Sequence, residues 1–502
     1  MGLPGFFRKT KFLDILSLTG LIGTSLIPIL TAINNSTYLT DDTYITLTYA
    51  KNLASGNGFV FNHPPAILGT TTPLFTLVTG AIGAVFPRLT IDGIAVAISA
   101  LCWLGIGLLF YFYRAEWQLK NWQAMVLAAV INCTPWFFSL GMEAYPFAFT
   151  LVLVFSLFLK KAYLWTGLAS GLLPLIRGEG FILFPMLVGI IVIKDVLIPR
   201  APLKAAVKPV VTTAVGFGIP MIIWSVYSGI TFGTFLPNTL AAKQAQGDSV
   251  FGISILHRIF TEWIPLWGGQ FVIGKVAWLN PWWIFWLLGV VLMAKKLKAF
   301  VLFAAWGLLY VSGYQLLGVT AYWWYQLPVL FVMNLLSGLG MIYLFTILAS
   351  RVKPFRLAAV ASGMLLIYLL YVLFVPTIKT IYTYPGDPRG PSYRALAEWV
   401  NENTNQDDSI SFLEIGYLGF YTDRKIIDLA GLVTPDISPH IAKSDYSWGF
   451  WHYLPNYYIY LPIQAGMTGS IISDARFSTS YSGVSNIKGP RESVFYIYKR
   501  RK

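Results

Sequence analysis

Apolar stretches recur along the first three quarters of the chain, near residues 13–33, 73–87, 91–113, 121–140, 145–160, 162–176, 181–195, 209–228, 281–294, 299–317, 326–348 and 357–376. Most approach the roughly 20 residues that a helix needs to cross a bilayer core of about 30 Å. Inside hydrocarbon each backbone polar group must be satisfied within its own segment or a closed barrel, so this pattern leaves one architecture, a polytopic helical body. Composition agrees: 56% of the 502 residues are hydrophobic and 12% are charged, against about a quarter charged in soluble domains. A soluble globular enzyme is excluded. From residue 377 on the character changes, with 13 Lys+Arg and 12 Asp+Glu in the last quarter. The expected division is a membrane domain over 1–376 and a water-exposed domain over 377–502.

The distribution of basic residues orders the spans. Short cytoplasmic loops collect Lys and Arg, and the stretch from Pro73 to Phe86 decides how the loops fall. If that stretch lies at the outer surface, eleven spans remain. Every basic loop then faces inward: Arg8/Lys9/Lys11, Arg114/Lys120, Lys160/Lys161, Lys194/Arg200/Lys204/Lys208, Lys295/Lys296/Lys298 and Arg351/Lys353/Arg356. This predicts a cytoplasmic N-terminus, a long first outer loop over 34–90 and an extracytoplasmic C-terminal domain, in a multi-pass protein of the plasma (inner) membrane. The net charge of +14 is therefore topological and implies no nucleic-acid partner. Cys102 and Cys133 both lie in apolar stretches, which leaves no disulfide framework or thiolate metal site. The basic Met1–Lys11 segment followed by an apolar run to Ile33 is too long for a signal-peptide core and reads as an uncleaved first span.

This arrangement gathers the unusual residues on the outer face: Asp41, Asp42, Lys51, Glu143, Arg177, Glu179 and Leu236-Pro237-Asn238-Thr239. An ionisable side chain at the bilayer centre costs about 2.5 to 3.5 kcal/mol on insertion scales, so these belong in a water-accessible cavity near one surface. Thr40-Asp41-Asp42-Thr43-Tyr44 opens an expected short helix that stops at Gly56-Asn57-Gly58. Successive side chains on a helix point about 100° apart, so the two carboxylates do not share a face: one can act as a base while the other caps the helix or holds a cation.

The run from Asp41 through Lys51 and Asn52 to Asn62, followed by Gly69-Thr-Thr-Thr-Pro73, resembles the first periplasmic loop of GT-C superfamily glycosyltransferases. It is most similar to the branch that contains the actinobacterial terminal arabinofuranosyltransferases. Gly141-Met-Glu143, Arg177-Gly-Glu179-Gly180, Leu236-Pro-Asn238 through Lys243, Trp324-Tyr325, Glu414-Ile-Gly-Tyr-Leu-Gly419 and Asp428-Leu-Ala-Gly431-Leu continue the likeness in order along the chain. Two departures stand out: His63-Pro64-Pro65 where a Pro-Gly pair is usual, and no proline after Arg177. The resemblance implies an all-α GT-C membrane domain followed by a small α/β domain, and an inverting transfer of sugar from a polyprenyl-phosphate donor to a glycan, lipid or protein acceptor.

In that reading Asp41 matches the leading aspartate and is the expected general base, with Asp42 and Glu143 in support. A positioned base contributes about 10² to 10⁴ in rate. The phosphate leaving group needs cations, and Lys51, Arg177 and Lys243, with His63, are the candidates; Tyr44, Glu179, Asn238, Trp324 and Tyr325 are expected to line the cavity. A divalent metal (Mg, Mn or Ca) held by Asp41, Asp42 and Glu143 is an open alternative. So are plainer readings: Arg177 pairing with Glu179, Lys51 and Lys243 snorkelling to the interface, Glu143 favouring a helix dipole, and His63 shaping a turn. A transporter or lipid flippase shares the many spans, but it would be expected to show repeated halves with polar breaks near mid-membrane, and neither is evident. A non-catalytic envelope protein fits less well with an intact acidic and cationic set. The C-terminal stretch reads as a helix over 393–403 and strands over 409–415, 425–428, 457–461 and 493–498.

Overall fold

The computed structural model describes residues 3–34, 38–62, 65–134, 139–265, 281–351 and 386–501, with 364, 368, 371, 374, 375 and 377–383 between the last two. Six helices are long and apolar enough to cross a membrane: Ser17–Asn34, Ile91–Phe112, Gly178–Leu197, Lys204–Phe232, Lys298–Leu317 and Trp323–Leu348. Pro73–Val85, Ala144–Leu159, Tyr163–Ile176 and Trp282–Lys295 are shorter apolar helices, and Asn121–Asn132 is a further one within the body. The expected last span, 357–376, lies almost wholly outside the described residues. Large apolar side chains face outward along these helices, with Ile230 82% and Leu316 86% exposed; such a surface has its counterpart in lipid, not in water.

Small residues let the helices of the body close on one another. A Cβ at Gly167 or Gly216 would strike backbone of the opposite helix, Lys204–Phe232 or Tyr163–Ile176, and the same is true of Gly289 and Gly340 where Trp282–Lys295 meets Gln326–Arg351. Without a hydrophobic drive between helices in lipid, close backbone approach of this kind supplies the packing.

Three shorter helices carry the chain over one end of the body. Asp41–Ala54 has two acids in its first turn and Lys51 in its last, both favourable to its dipole, and Gly56 at φ +80° ends it. Pro73–Val85 packs beside it, and a Cβ on Gly80 would crowd Leu53 and the Ala50 carbonyl. Asn238–Asp248 is the third. The first and third pack against the C-terminal domain.

That domain is α/β. The helix Gly390–Asn403 precedes β1 (Ser409–Phe412), β2 (Lys425–Asp428), β3 (Tyr457–Tyr460), β4 (Tyr481–Lys488) and β5 (Val494–Arg500), which form one sheet in the order β2-β1-β3-β5-β4. The β1 strand pairs in parallel with β2 and β3, whereas β5 runs antiparallel to both β3 and β4. The expected helix and four of these strands appear. The sequence reading omitted β4, in which only Tyr481 is buried and no apolar alternation marks the strand. One core runs across the junction: Leu39, Tyr44 and Tyr49 share a cluster with Leu396, Phe412, Tyr417 and Ile426.

Candidate active site

The Asp41–Ala54 helix presents two different faces. Its Asp41 carboxylate is buried and accepts the backbone N–H groups of Gly416 at 3.0 Å and Tyr417 at 2.9 Å. These open the Gly416–Thr422 helix, so Asp41 caps a helix other than its own, from 375 residues away. Tyr44 lies on the same side, fully buried among Tyr417, Phe420 and Tyr421. Lys51 follows one face further along, donating to Asp423 and to the Phe420 carbonyl, each at 2.8 Å. Burial pushes the Asp41 carboxyl up in pKa, against the pull of its two amide partners.

On the other face Asp42, Ile45 and Thr46 line a small pocket of about 50 Å³, together with Gly69, Thr70, Thr71, Thr72, Met142, Glu143, Thr239, Lys243, Trp324 and Leu432. Burial lifts the Asp42 carboxyl to about 6, the neighbouring Asp41 adding to the shift and Lys243 opposing it. A carboxyl so poised exchanges a proton near neutral pH. Asp42 thus belongs to the pocket, whereas Asp41 is occupied in joining two domains.

Below this pocket opens a cavity of about 480 Å³. Its walls are apolar, with Leu68, Pro174, Phe181, Trp224, Phe235 and Leu317 among them, and its polar end carries Glu143, Arg177, Glu179, Lys243 and Tyr314. Phe181, Phe235, Leu236 and Leu317 are exposed on the outside of the body, so the cavity reaches the apolar surface. Thr70, Thr71, Glu143, Lys243 and Trp324 line both spaces.

Two cations serve this polar end, in opposite states. Arg177 ends the Tyr163–Ile176 helix in an extended conformation. Its Nε donates to Glu179 at 2.5 Å and its Nη1 to Glu143 at 2.8 Å, all three side chains being buried. Glu179 also accepts from the Tyr314 hydroxyl at 3.0 Å. Two carboxylates stand against this one guanidinium. Lys243 makes no ion pair among the described residues. Its Nζ sits 5.6 Å from the ring centroids of Tyr322 and Trp324 and 5.2 Å from that of Tyr325, in a cage of π faces that favours an ammonium.

The remaining expected site residues divide as follows. Trp324 and Tyr325 line the cavity, as do Glu143 and Glu179. Asn238 is not a cavity group: its Nδ2 donates to the Gly431 carbonyl at 2.7 Å and the Leu432 carbonyl at 2.9 Å. Tyr44 and Lys51 likewise belong to the domain junction, because packing and an ion pair consume them there. His63 lies outside the described residues. A shared metal is not favoured by the donor set: Asp41 and Glu143 are already occupied by amides and by Arg177, and no cluster of three metal-ligating side chains occurs among the described residues.

Sequence reasoning missed Gln246 and Arg389 and gave Glu414 no role of its own. Arg389 donates to Asp387 at 2.7 Å and to Glu414 at 2.9 Å. Burial raises the Glu414 carboxyl to about 8 despite Arg389, and its Oε2 is buried without a partner among the described groups. The Glu414-Ile-Gly motif was the available signal.

Comparisons with known proteins bear on the fold. Residues 381–498 match a family described as a domain of unknown function, DUF8728. No curated protein matches the chain in sequence. Among solved structures, ArnT from Cupriavidus metallidurans in the apo state is similar over 96% of this chain and 97% of its own, with a TM-score of 0.58 at 14% identity. The same protein bound to undecaprenyl phosphate covers the same shares at 0.52 and 15% identity. The chain therefore has the fold of ArnT over 96% of its length.

Proposed function

We propose that the chain is an integral-membrane glycosyltransferase that moves a sugar from a polyprenyl-phosphate donor to an acceptor hydroxyl at the outer face of the membrane. The observation that carries this reading is Lys243, which makes no ion pair among the described residues and stands where an apolar-walled cavity of about 480 Å³ meets the Asp42 pocket. An isoprenoid chain suits the walls, a phosphate suits the ammonium, and the sugar between them would reach Asp42. The structural likeness to a protein solved with undecaprenyl phosphate supports the same donor class.

The chemistry follows as a single displacement. The acceptor oxygen attacks the anomeric carbon from the face opposite the phosphate while Asp42 takes its proton. The bond from that carbon to the phosphate oxygen breaks, and its electron pair leaves on polyprenyl phosphate, whose growing charge Lys243 meets. Configuration inverts. The base is Asp42 in this proposal, ahead of Asp41. Glu143 and Glu179 hold Arg177 and shape the polar end, while Trp324 and Tyr325 flank the sugar. The mechanism uses no metal step, since the carboxylates available do not converge on one ion.

The test is release of free polyprenyl phosphate from a panel of polyprenyl-phosphate sugars by the purified full chain. Turnover of one donor by wild type and its loss in a folded Asp42→Asn variant are expected. No turnover of any donor overturns the transferase reading, and a lipid flippase would then take its place.

A further inference from the structure

The C-terminal domain reaches into the proposed site through one loop. Between β2 and the helices that follow, Asp428 folds residues 428–434 around its own carboxylate, which accepts the N–H groups of Ala430 at 2.8 Å, Leu432 at 2.5 Å and Val433 at 3.1 Å. The Thr434 hydroxyl accepts the N–H of Asp428 at 3.1 Å. Burial lifts the Asp428 carboxyl to about 6, so that above this pH it serves the loop as an anion with three amide donors. The result is a tightly hydrogen-bonded turn in which Leu432 forms part of the lining of the Asp42 pocket.

The Asn238–Asp248 helix holds this turn from below at two points. Asn238 grips the carbonyls of Gly431 and Leu432, and two helical turns on, Gln246 Nε2 donates to the Ala430 carbonyl at 3.0 Å. Between them on the same helix stands Lys243. Gln246 also accepts from the Tyr322 hydroxyl, and Tyr322 stacks on Trp324 at 4.6 Å with planes 3° apart, completing two walls of the ammonium's cage. At the third edge Gly69 leaves room for the loop: a Cβ there would come 2.8 Å from Val433 Cγ1 and 2.9 Å from the Leu432 carbonyl oxygen. One rigid helix thus fixes the loop and offers the cation.

We propose that the 428–434 loop is the acceptor-selecting wall of the active site, with Leu432 as its specificity-determining side chain and Asn238 and Gln246 as positioning residues that hold it against the Asp42 pocket. This rests on the transferase reading and deepens it, and it gives a role to a domain whose family description records none. The acceptor end is a slot of about 50 Å³ with mixed polar and apolar lining, room for only a few water-sized groups. It takes a hydroxyl-bearing edge of an alcohol or sugar, and Leu432 sets how bulky that edge can be.

The test uses the full chain in detergent with the donor that wild type turns over, water and octyl glucoside as the two probe acceptors, and released polyprenyl phosphate as the count of turnovers. Each turnover ends as free sugar or as octyl glycoside, and the ratio of the two is the readout. Leu432→Trp, which fills the slot, is expected to shift that ratio toward water by about tenfold or more. Leu432→Ala and Asn238→Ala are expected to shift it toward octyl glucoside. A purely structural role would lower turnover and leave the ratio in place. An unchanged ratio in all three variants, with wild type active, overturns the wall and leaves the transferase reading standing. No turnover in wild type overturns both.

Discussion

The two faces of the Asp41–Ala54 helix carry the same kinds of residue for opposite ends. Asp41, Tyr44 and Lys51 point toward the C-terminal domain and are consumed there by two backbone amides, three aromatic rings and an ion pair. Asp42 and Thr46, rotated by about 100° and more from Asp41, look into a pocket shared with Lys243. A charge tied up by hydrogen bonds or an ion pair holds structure together, whereas one that faces open space is available to substrate. The same contrast separates Arg177, neutralised on two sides, from caged Lys243.

The sharpest way to break this contrast is to remove the two carboxylates in turn. Asp42→Asn is expected to lower kcat by about 10² to 10⁴, the usual contribution of a general base, with little change in melting temperature. Asp41→Asn turns an amide toward backbone N–H donors and is expected to cost about 1 to 3 kcal/mol of stability, with a far smaller fall in kcat for the molecules that remain folded. If Asp41→Asn instead gives the larger fall in kcat at wild-type Tm, the two faces have been assigned the wrong way round.

Next in size is the cation. Lys243→Ala is expected to reduce kcat by about 10² to 10³, the usual loss when a stabiliser of transition-state charge is deleted. Lys243→Arg should recover part of it, and turnover of a saturating donor measures both. Titration sharpens the contrast further. With Asp42 lifted to about 6, kcat/KM should rise with pH through that value and level off above it, because the base works unprotonated.

Stability should move the other way. Asp42, Asp428 and Glu414 all titrate higher in the folded chain, at about 6, 6 and 8, than the roughly 4 of an unfolded acid. Their contribution is complete below about pH 4 and is lost as pH climbs through 6 and 8. Melting temperature measured from pH 5 to 8.5 should therefore fall, and Glu414→Gln should flatten the upper part of the curve. The smallest effect belongs to Lys51→Ala. Its half-exposed pair with Asp423 is worth about 0.2 to 1 kcal/mol, so Tm shifts slightly and turnover per molecule is unchanged.

Much of the architecture was legible because it is written in periods and lengths. The apolar helices of the membrane body fall on the apolar stretches, and the strands at 425–428 and 457–460 stand where β-branched and aromatic residues cluster. Of the residues singled out from the sequence, Asp42, Glu143, Arg177, Glu179, Lys243, Trp324 and Tyr325 line the two spaces, whereas Asp41, Tyr44, Lys51 and Asn238 are taken up at the domain junction. Nothing local to Asp41-Asp42 says that the amides of Gly416 and Tyr417 lie opposite the first carboxylate. Nor does anything near Asn238 reveal the carbonyls of Gly431 and Leu432. Such pairings arise from tertiary contact between distant segments, and a resemblance that aligns residues carries them over without their partners. The fate of Arg177 was half visible, since pairing with Glu179 was one reading, but Glu143 as a second partner required the fold.

Asn62 carries a last consequence. Its side-chain amide donates to the Ile426 carbonyl and accepts the Ile426 N–H, each at 2.9 Å, against β2, the outermost strand on that side of the sheet. One amide side chain thus mimics a residue of a neighbouring strand. Exposed strand borders are templates for pairing with other chains, and here the membrane-anchored half of the protein plugs that border itself. A C-terminal domain cut away from its helices would lose the plug and present a raw ladder of donors and acceptors, so self-association through β2 would be the price of its freedom.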